Sequence, residues 1–471
     1  MAGLTADVEP VDGSGKPGLA GPTVAIHTHG CKLNQSDSQS LARRFEDAGY
    51  RVVDSPGQAD VVVLNSCTVT ATADAKARQF LRAARRSNPS AVVVATGCYA
   101  QRSPESLRAM EAVSLVLGNT EKATLVDSVT AALDGALTIH PEPVEGPPRQ
   151  EGGSTSLPRT GWGSGQTDGG TPRTGLQAKR SRAMVKIQEG CDQVCAYCIV
   201  PKVRGRERSI PPETIVADIN RHWREGCREA VLTGTQLGTY GFDIPGASLV
   251  DLIRRILEET SIDRLRVSSL QAQEITPELL DLWSDTRLCP HFHIPLQSGS
   301  DTLLRAMRRR YDTRRYAETV ELVRGALPHA GITTDIIVGF PGEADSDFEA
   351  GYRFARSLAF SDVHVFPYSS RPGTSAAYFK AQVDEGVKKG RMARMLELAA
   401  DGHQRFRQGH LGTIKSVLWE PRRSADAGPF WNGLTANYIR VRTDSRRDLA
   451  NAIIDARLTE LNGDWVLAVV D

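Results

Sequence analysis

The chain has 471 residues, 40% hydrophobic and 24% charged, an ordinary soluble composition that fits two to four domains. Its 57 Lys and Arg against 56 Asp and Glu leave a net charge of +1, so any nucleic-acid surface is local and not global. Eight cysteines are too few for a disulfide scaffold in so long a chain and point to a reducing cytosol. No run of 18 apolar residues offers a membrane span.

The first twenty residues carry Gly, Pro, Asp and Glu without an apolar stretch, which predicts a disordered tail over 1–22 and not a signal peptide. From Thr23 strands and helices alternate. Residues 24–28, 60–64, 91–95 and 115–117 read as strands, and 35–48, 72–86 and 121–133 as helices, which predicts a doubly wound parallel sheet over 23–138. Cys31, Cys67 and Cys98 follow the first three strands. Parallel strands put their carboxyl ends on one edge, so the three thiols are expected to converge there. Three thiolates suit an iron–sulfur cluster and leave one iron open.

The motifs His29-Gly30-Cys31-Lys32-Leu33-Asn34-Gln35-Ser36-Asp37-Ser38, Asn65-Ser66-Cys67-Thr68-Val69-Thr70 and Gly97-Cys98-Tyr99-Ala100-Gln101-Arg102 resemble the N-terminal domain of the methylthiotransferases. That family is a branch of the radical S-adenosylmethionine enzymes that carries two clusters. Residues 139–180, dominated by Pro, Gly, Ser and Thr, are expected to be a flexible linker.

From residue 181 to 405, six strand candidates (183–188, 230–233, 264–268, 291–296, 334–338 and 363–368) alternate with helices. Six such units predict an incomplete parallel (β/α)6 barrel, open at one side. After the first strand comes Gly190-Cys191-Asp192-Gln193-Val194-Cys195-Ala196-Tyr197-Cys198. Its three thiols again leave one iron open. A zinc loop completed by a distant His, Cys227 or Cys289 is the alternative, although zinc loops usually show paired C-x-x-C spacing. The stretch resembles the radical S-adenosylmethionine signature, in which that iron binds the cofactor's amino and carboxylate groups. The resemblance implies that the strand ends carrying Gly234 and Gln236, Gln297 and Ser298, and Gly339 line the S-adenosylmethionine pocket. Where the family usually has an acid after Ser268-Ser269-Leu270, this chain has Gln271. Cys227 and Cys289 read as buried structural thiols. Basic runs at Lys202, Arg204, Arg206 and Arg208 and around Arg308–Arg310 are either solvated faces or phosphate contacts.

Residues 406–471 turn to short strands at 413–420, 438–442, 452–460 and 465–469, which predicts a small antiparallel barrel. Arg422, Arg423, Arg440 and Arg442, interleaved with Trp431 and Tyr438, form a candidate nucleic-acid surface. This part resembles the TRAM domain of RNA-modifying enzymes.

Together these resemblances imply two [4Fe-4S] clusters, S-adenosylmethionine and a low-potential electron donor of flavodoxin or ferredoxin type. The implied reaction is insertion of a methylthio group into a tRNA base in the cytoplasm. Cys31-Lys32-Leu33-Asn34, Thr68-Val69-Thr70 with Ala73-Asp74, and Lys186-Ile187-Gln188-Glu189 look most like the branch acting on N6-threonylcarbamoyladenosine in the anticodon stem-loop. Other branches act on isopentenyladenosine or on a ribosomal-protein aspartate. A different class, a non-catalytic metal-stabilised RNA-binding protein, would carry zinc instead of iron.

Overall fold

The computed structural model describes residues 21–135, 181–422 and 430–470. The expected tail, apart from its last two residues, the expected linker and Arg423 lie outside the described residues.

Five strands, β1 (Thr23–His29), β2 (Arg51–Val52), β3 (Val61–Ser66), β4 (Val92–Gly97) and β5 (Leu115–Leu117), form a parallel sheet in the order β2-β1-β3-β4-β5. β3 reads as a continuous apolar run because both of its faces are covered. Val61 and Val63 pack with Leu41 and Phe45 of the helix Lys32–Asp47, while Leu64 packs with Leu81 of the helix Ala71–Ser87. The register aligns His29 with Ser66 and Ser66 with Gly97, so Cys31, Cys67 and Cys98 leave the sheet at one edge.

The central region opens with β6 (Arg182–Lys186). A two-residue clasp of β7 (Gln188–Glu189) and β8 (Arg208–Ser209) brackets the cysteine loop, and β9 (Glu229–Thr233) and β10 (Arg264–Val267) extend the sheet from β6. A second parallel sheet holds β11 (His291–His293), β12 (Gly331–Val338) and β13 (Asp362–Pro367). Parallel bridges at Leu265–Leu288 and Ser269–His293 join the two sheets into one arc of six strands, open between β6 and β13. The helices outside the arc are amphipathic. In Leu249–Glu259 the buried residues are Leu249, Leu252, Ile253 and Ile256, and the Ser248 hydroxyl caps the helix by accepting from Asp251 N. On β12, Ile332, Ile336 and Val338 join that outer core. Alternation therefore turns Thr333, Asp335 and Ile337 into the interior of the arc.

The long helix Glu385–Gln408 leads to a closed barrel of β14 (Ile414–Trp419), β15 (Trp431–Thr435), β16 (Arg440–Thr443), β17 (Ile453–Asn462) and β18 (Trp465–Val469). Four of its pairings are antiparallel, and β16 pairs with β18 in parallel. Three strands, β2, β8 and β15, were not among the expected ones, and the strand expected at 183–188 is divided between β6 and β7. No described helix is long and apolar enough to cross a membrane.

The N-terminal domain spans the open side of the arc. Along one lip, the Gln39 side chain accepts from Met184 N of the edge strand β6 at 3.3 Å. On the other lip, Ala71 N donates to Ser369 Oγ at 3.2 Å and Arg371 pairs with Asp74 at 2.7 Å, just past β13. The C-terminal barrel closes the opposite end of the arc. Arg264 donates to Leu434 O and Ser416 O, Arg266 to Ala436 O, and Asn437 to His329 O.

Candidate active site

Three loops bring Cys31, Cys67 and Cys98 together at the sheet edge, and their tight approach depends on glycine. Gly97 has φ +93°, and a Cβ there would meet the Asn65 side chain at 2.5 Å and Ser66 O at 2.6 Å; one on Gly30 would meet Cys67 Cβ at 2.7 Å. Cys67 and Cys98 are buried, whereas Cys31 is exposed. Burial first, then the neighbouring Cys31 and Cys98, push the Cys67 thiol far up. Such a thiol ionises only when a metal or a cation takes the negative charge. Around the triad lie the buried, unpartnered polar atoms Asn34 Nδ2, Asn65 Oδ1 and Thr96 Oγ1. Asn119 Nδ2 reaches Cys98 Sγ at 3.6 Å and donates to Val203 O at 2.7 Å, tying this domain to the barrel.

The second triad sits at the carboxyl end of β6. Burial pushes the thiols up, Cys191 to about 11 and Cys198 to about 12. Arg309 stands over Cys195, with Nη1 3.4 Å from its Sγ, and also reaches the Tyr197 and Tyr311 hydroxyls and Gln271 Oε1. Ala196, Phe340, Tyr368 and Ala376 form an apolar cover beside the loop. The two triads are neighbours: Cys98 packs against Ile199, the residue after Cys198, and against Val203.

All eight cysteines are free thiols. Among the described residues only His293, Asp335 and His364 bring three candidate ligand atoms within 4.8 Å of one another, so neither cysteine triad is that compact. A single tetrahedral zinc would hold its sulfurs about 4 Å apart. A multi-iron cluster spreads them, since each thiolate binds a different iron. Three thiols in each triad, with Arg204 beside one and Arg309 beside the other, fit a cluster held by three protein ligands. The His–Asp–His group is already closed by its own bonds, His293 to Asp335 at 3.2 Å and His364 to Asp335 at 3.1 Å.

Between the triads runs a buried ionic network. Asp37 accepts from Lys122 at 2.7 Å, Lys186 at 2.8 Å and Arg204 at 3.3 Å, and Arg204 also reaches Glu189 at 2.8 Å and Asn34 Oδ1 at 2.5 Å. Burial alone would raise the Asp37 carboxyl, but the three cations outweigh it and hold it well below the usual carboxylate range. Arg204, within electrostatic reach of Cys98 and Cys31, gives that triad a buried cation as Arg309 gives the other. The basic run at 202–208 is therefore divided. Arg204 is buried in this network, while Arg206 is on the surface, paired with Asp192.

The expected cofactor-pocket residues separate in the same way. Gln236 is buried at the arc's mouth, bonded to Gln271 at 2.5 Å and to Glu274. Gln271 also donates to Gln193 inside the cysteine loop at 3.0 Å. The Gly234 backbone runs beside Gln188, whose Oε1 accepts from Thr235 N and Gln236 N, both at 2.9 Å. Gln297 adopts φ +67° where it bridges to β12. Ser298 spends its hydroxyl on Ser300 N, and Gly339 N donates to Glu343 while the glycine gives way to the Lys388 side chain. Glu274 was not anticipated. It supplies an acid three residues beyond the Gln271 position, and its signal, a Gln271-x-x-Glu274 capping box, reads locally as an ordinary turn.

Burial lifts the Glu274 carboxyl from 4.5 to about 7. Between those values the folded chain keeps a proton that the unfolded chain has released, so stability falls as pH rises and levels off beyond about 7. We expect Glu274→Gln to flatten this fall, an effect of about 2–3 kcal/mol between pH 5 and 8 measured by anaerobic thermal unfolding.

In the C-terminal barrel, Trp431 is buried beneath Arg422, 4.4 Å from the guanidinium, and its Nε1 donates to Ser445 O. Arg440 and Arg442 lie over Trp465 at 5.9 and 4.0 Å, which makes Trp465 a surface ring that the sequence reading passed over. Tyr438 points into the base of the central arc. It stacks on His291 at 4.3 Å and lies 4.9 Å from the Arg266 guanidinium.

Residues 23–118 match the family model described as uncharacterized protein family UPF0004, and residues 185–355 match the radical SAM superfamily. Among solved structures, the radical S-adenosylmethionine methyltransferase TsrM from Kitasatospora setae shares the fold, with a TM-score of 0.53 at 15% identity over 76% of this chain and 77% of that one. Fold and loop thus define a radical S-adenosylmethionine protein. The threonylcarbamoyladenosine tRNA methylthiotransferase MtaB of Bacillus subtilis (strain 168) is 34% identical over 95% of this chain and 97% of its own. The corresponding protein of Aquifex aeolicus is 36% identical over 91% and 98%. A tRNA-2-methylthio-N(6)-dimethylallyladenosine synthase of Syntrophotalea carbinolica is 32% identical over 92% and 96%. The chain belongs to the methylthiotransferase family of radical S-adenosylmethionine proteins.

Proposed function

We propose that the protein inserts a methylthio group at C2 of N6-threonylcarbamoyladenosine next to the anticodon of tRNA, in the cytoplasm. The observation that carries this reading is the adjacency of the two cysteine triads, with Cys98 packed against the residue that follows Cys198. Cys31, Cys67 and Cys98 would hold one [4Fe-4S] cluster, and Cys191, Cys195 and Cys198 the other. When bound, these clusters and two molecules of S-adenosylmethionine supply an electron relay, a sulfur atom, a hydrogen-abstracting 5′-deoxyadenosyl fragment and a methyl group.

The chain's own residues orient and shield. Arg204 and Arg309 offset the thiolate charge of the two triads, and the apolar cover of Ala196, Phe340 and Tyr368 keeps water from a reactive fragment. Gln236, Gln271 and Glu274 present donors and acceptors at the mouth, where S-adenosylmethionine would bind with Gly234, Gln297, Ser298 and Gly339 nearby. Arg440, Arg442 and Trp465, with the exposed Phe430, offer cations and rings to an RNA strand, and Arg422 and Arg423 adjoin them in sequence. The electron comes from a low-potential donor of flavodoxin or ferredoxin type.

The relatives named for threonylcarbamoyladenosine favour this base over isopentenyladenosine. The test is metal analysis of anaerobically purified protein followed by incubation with reductant, S-adenosylmethionine and tRNA bearing the threonylcarbamoyl base. About eight irons per chain and a methylthiolated nucleoside are expected. A colourless protein with about two zincs and no product would replace this reading with a metal-stabilised RNA-binding protein.

A further inference from the structure

Groups from all three parts of the chain meet inside the central arc. Lys32 comes from the N-terminal domain one residue after Cys31, Arg182 and Arg266 from β6 and β10, and Tyr438 from the C-terminal barrel. The Lys32 ammonium stands within electrostatic reach of Tyr438, Arg266, Arg182 and Asp335. Two of the cations are already matched. Arg266 is held by Glu229 through bonds of 2.8 and 3.1 Å, and Arg182 pairs with Glu420 at 3.2 Å. Asp335 is likewise taken up by His293 and His364.

Lys32 is not matched, for among the described residues it forms neither an ion pair nor a hydrogen bond. The Tyr438 hydroxyl makes no hydrogen bond among them either, although its ring is fixed between His291 and Arg266. The backbone of Tyr438 is held at φ +78°, a costly conformation for an aromatic residue that the surrounding packing must enforce. A ring-anchored hydroxyl and a half-buried ammonium, both reached by solvent and neither paired within the protein, are a pair of donors open to an anion.

We propose that Lys32 and the Tyr438 hydroxyl form a carboxylate subsite that takes the threonyl carboxylate of the substrate base. This rests on the substrate reading above and extends it to selectivity. The N6 substituent of threonylcarbamoyladenosine ends in a carboxylate, whereas an isopentenyl group is apolar and would take the solvent from both donors without pairing either. A site built to pair with a polar group rejects the analogue that lacks it more strongly than an apolar pocket rejects an extra methylene. Because Lys32 adjoins Cys31, a base anchored there is also held beside the first triad.

The experiment uses the reconstituted full chain and two anticodon stem-loop RNAs, one with the threonylcarbamoyl base and one with its carboxylate converted to the neutral carboxamide. Wild type is expected to prefer the acid by ~100-fold in kcat/KM, mainly through KM for RNA. Lys32→Gln should lower the acid-to-amide ratio ~30-fold, Lys32→Arg should restore part of it, and Tyr438→Phe should lower it ~5-fold. The ratio is taken within each preparation, so partial misfolding of a variant cancels. A wild-type ratio near one, an unchanged ratio in Lys32→Gln, or a rise only in KM for S-adenosylmethionine overturns the subsite and leaves the substrate reading standing. Wild type inactive on both RNAs overturns the substrate reading and the subsite with it.

Discussion

Replacing Cys195 with Ala is expected to abolish reductive cleavage of S-adenosylmethionine, whereas replacing Cys67 with Ala is expected to spare that cleavage and abolish methylthiolation. Each loss is expected to exceed ~10³-fold, because a cluster stripped of one of three ligands loses the geometry on which its chemistry depends. The two outcomes differ because the triads lie on separate elements. Cys195 belongs to the loop after β6 and is covered by Arg309, while Cys67 leaves β3 of the neighbouring domain. Both variants are assayed with reductant, counting 5′-deoxyadenosine released and nucleoside converted. Equal loss of cleavage in both would contradict separate roles for the two triads.

The second large effect is structural. Asp37→Asn is expected to destabilise the protein by about 3–5 kcal/mol, since it leaves Lys122, Lys186 and Arg204 without their shared carboxylate in a buried site. Because the folded-state carboxyl is held below its unfolded value, its contribution is full at neutral pH and is lost only as pH falls through the folded value. Lys186 and Arg204 belong to the barrel and Asp37 to the N-terminal domain, so the variant should also loosen their union and lose iron from the first triad sooner. Anaerobic unfolding and iron retention measure both. A change within about 0.5 kcal/mol would mean that the network is already satisfied by water or by Glu189.

The parallel sheet and the open arc were legible because strands buried on both faces must be apolar, as Val61 to Leu64 are. The grouping of both triads was legible because Cys31, Cys67 and Cys98 each follow a strand of one parallel sheet, and Cys191, Cys195 and Cys198 share one loop after β6. What escaped was non-local. The turn after β15 carries Tyr438, which reads as a stacking ring for RNA. Only folding brings it to His291, and the parallel pairing of β16 with β18 is equally invisible in a string of short strands. Arg204 and Arg206 look alike in sequence, yet the first meets Asp37 from 167 residues away and the second remains in solvent. Glu274 reads as a helix cap until Gln236, 38 residues earlier in the chain, is folded against it. β2, β8 and β15 were missed for a local reason: the first two have two residues each, and the third, Trp-Asn-Gly-Leu-Thr, carries an Asn and a Gly that read as a turn.

The central claim is tested most directly by mass spectrometry of nucleosides from tRNA of cells with and without this protein. Loss of the methylthio form of threonylcarbamoyladenosine, with its unthiolated precursor accumulating, is the predicted result. An unchanged nucleoside profile at that position would contradict it.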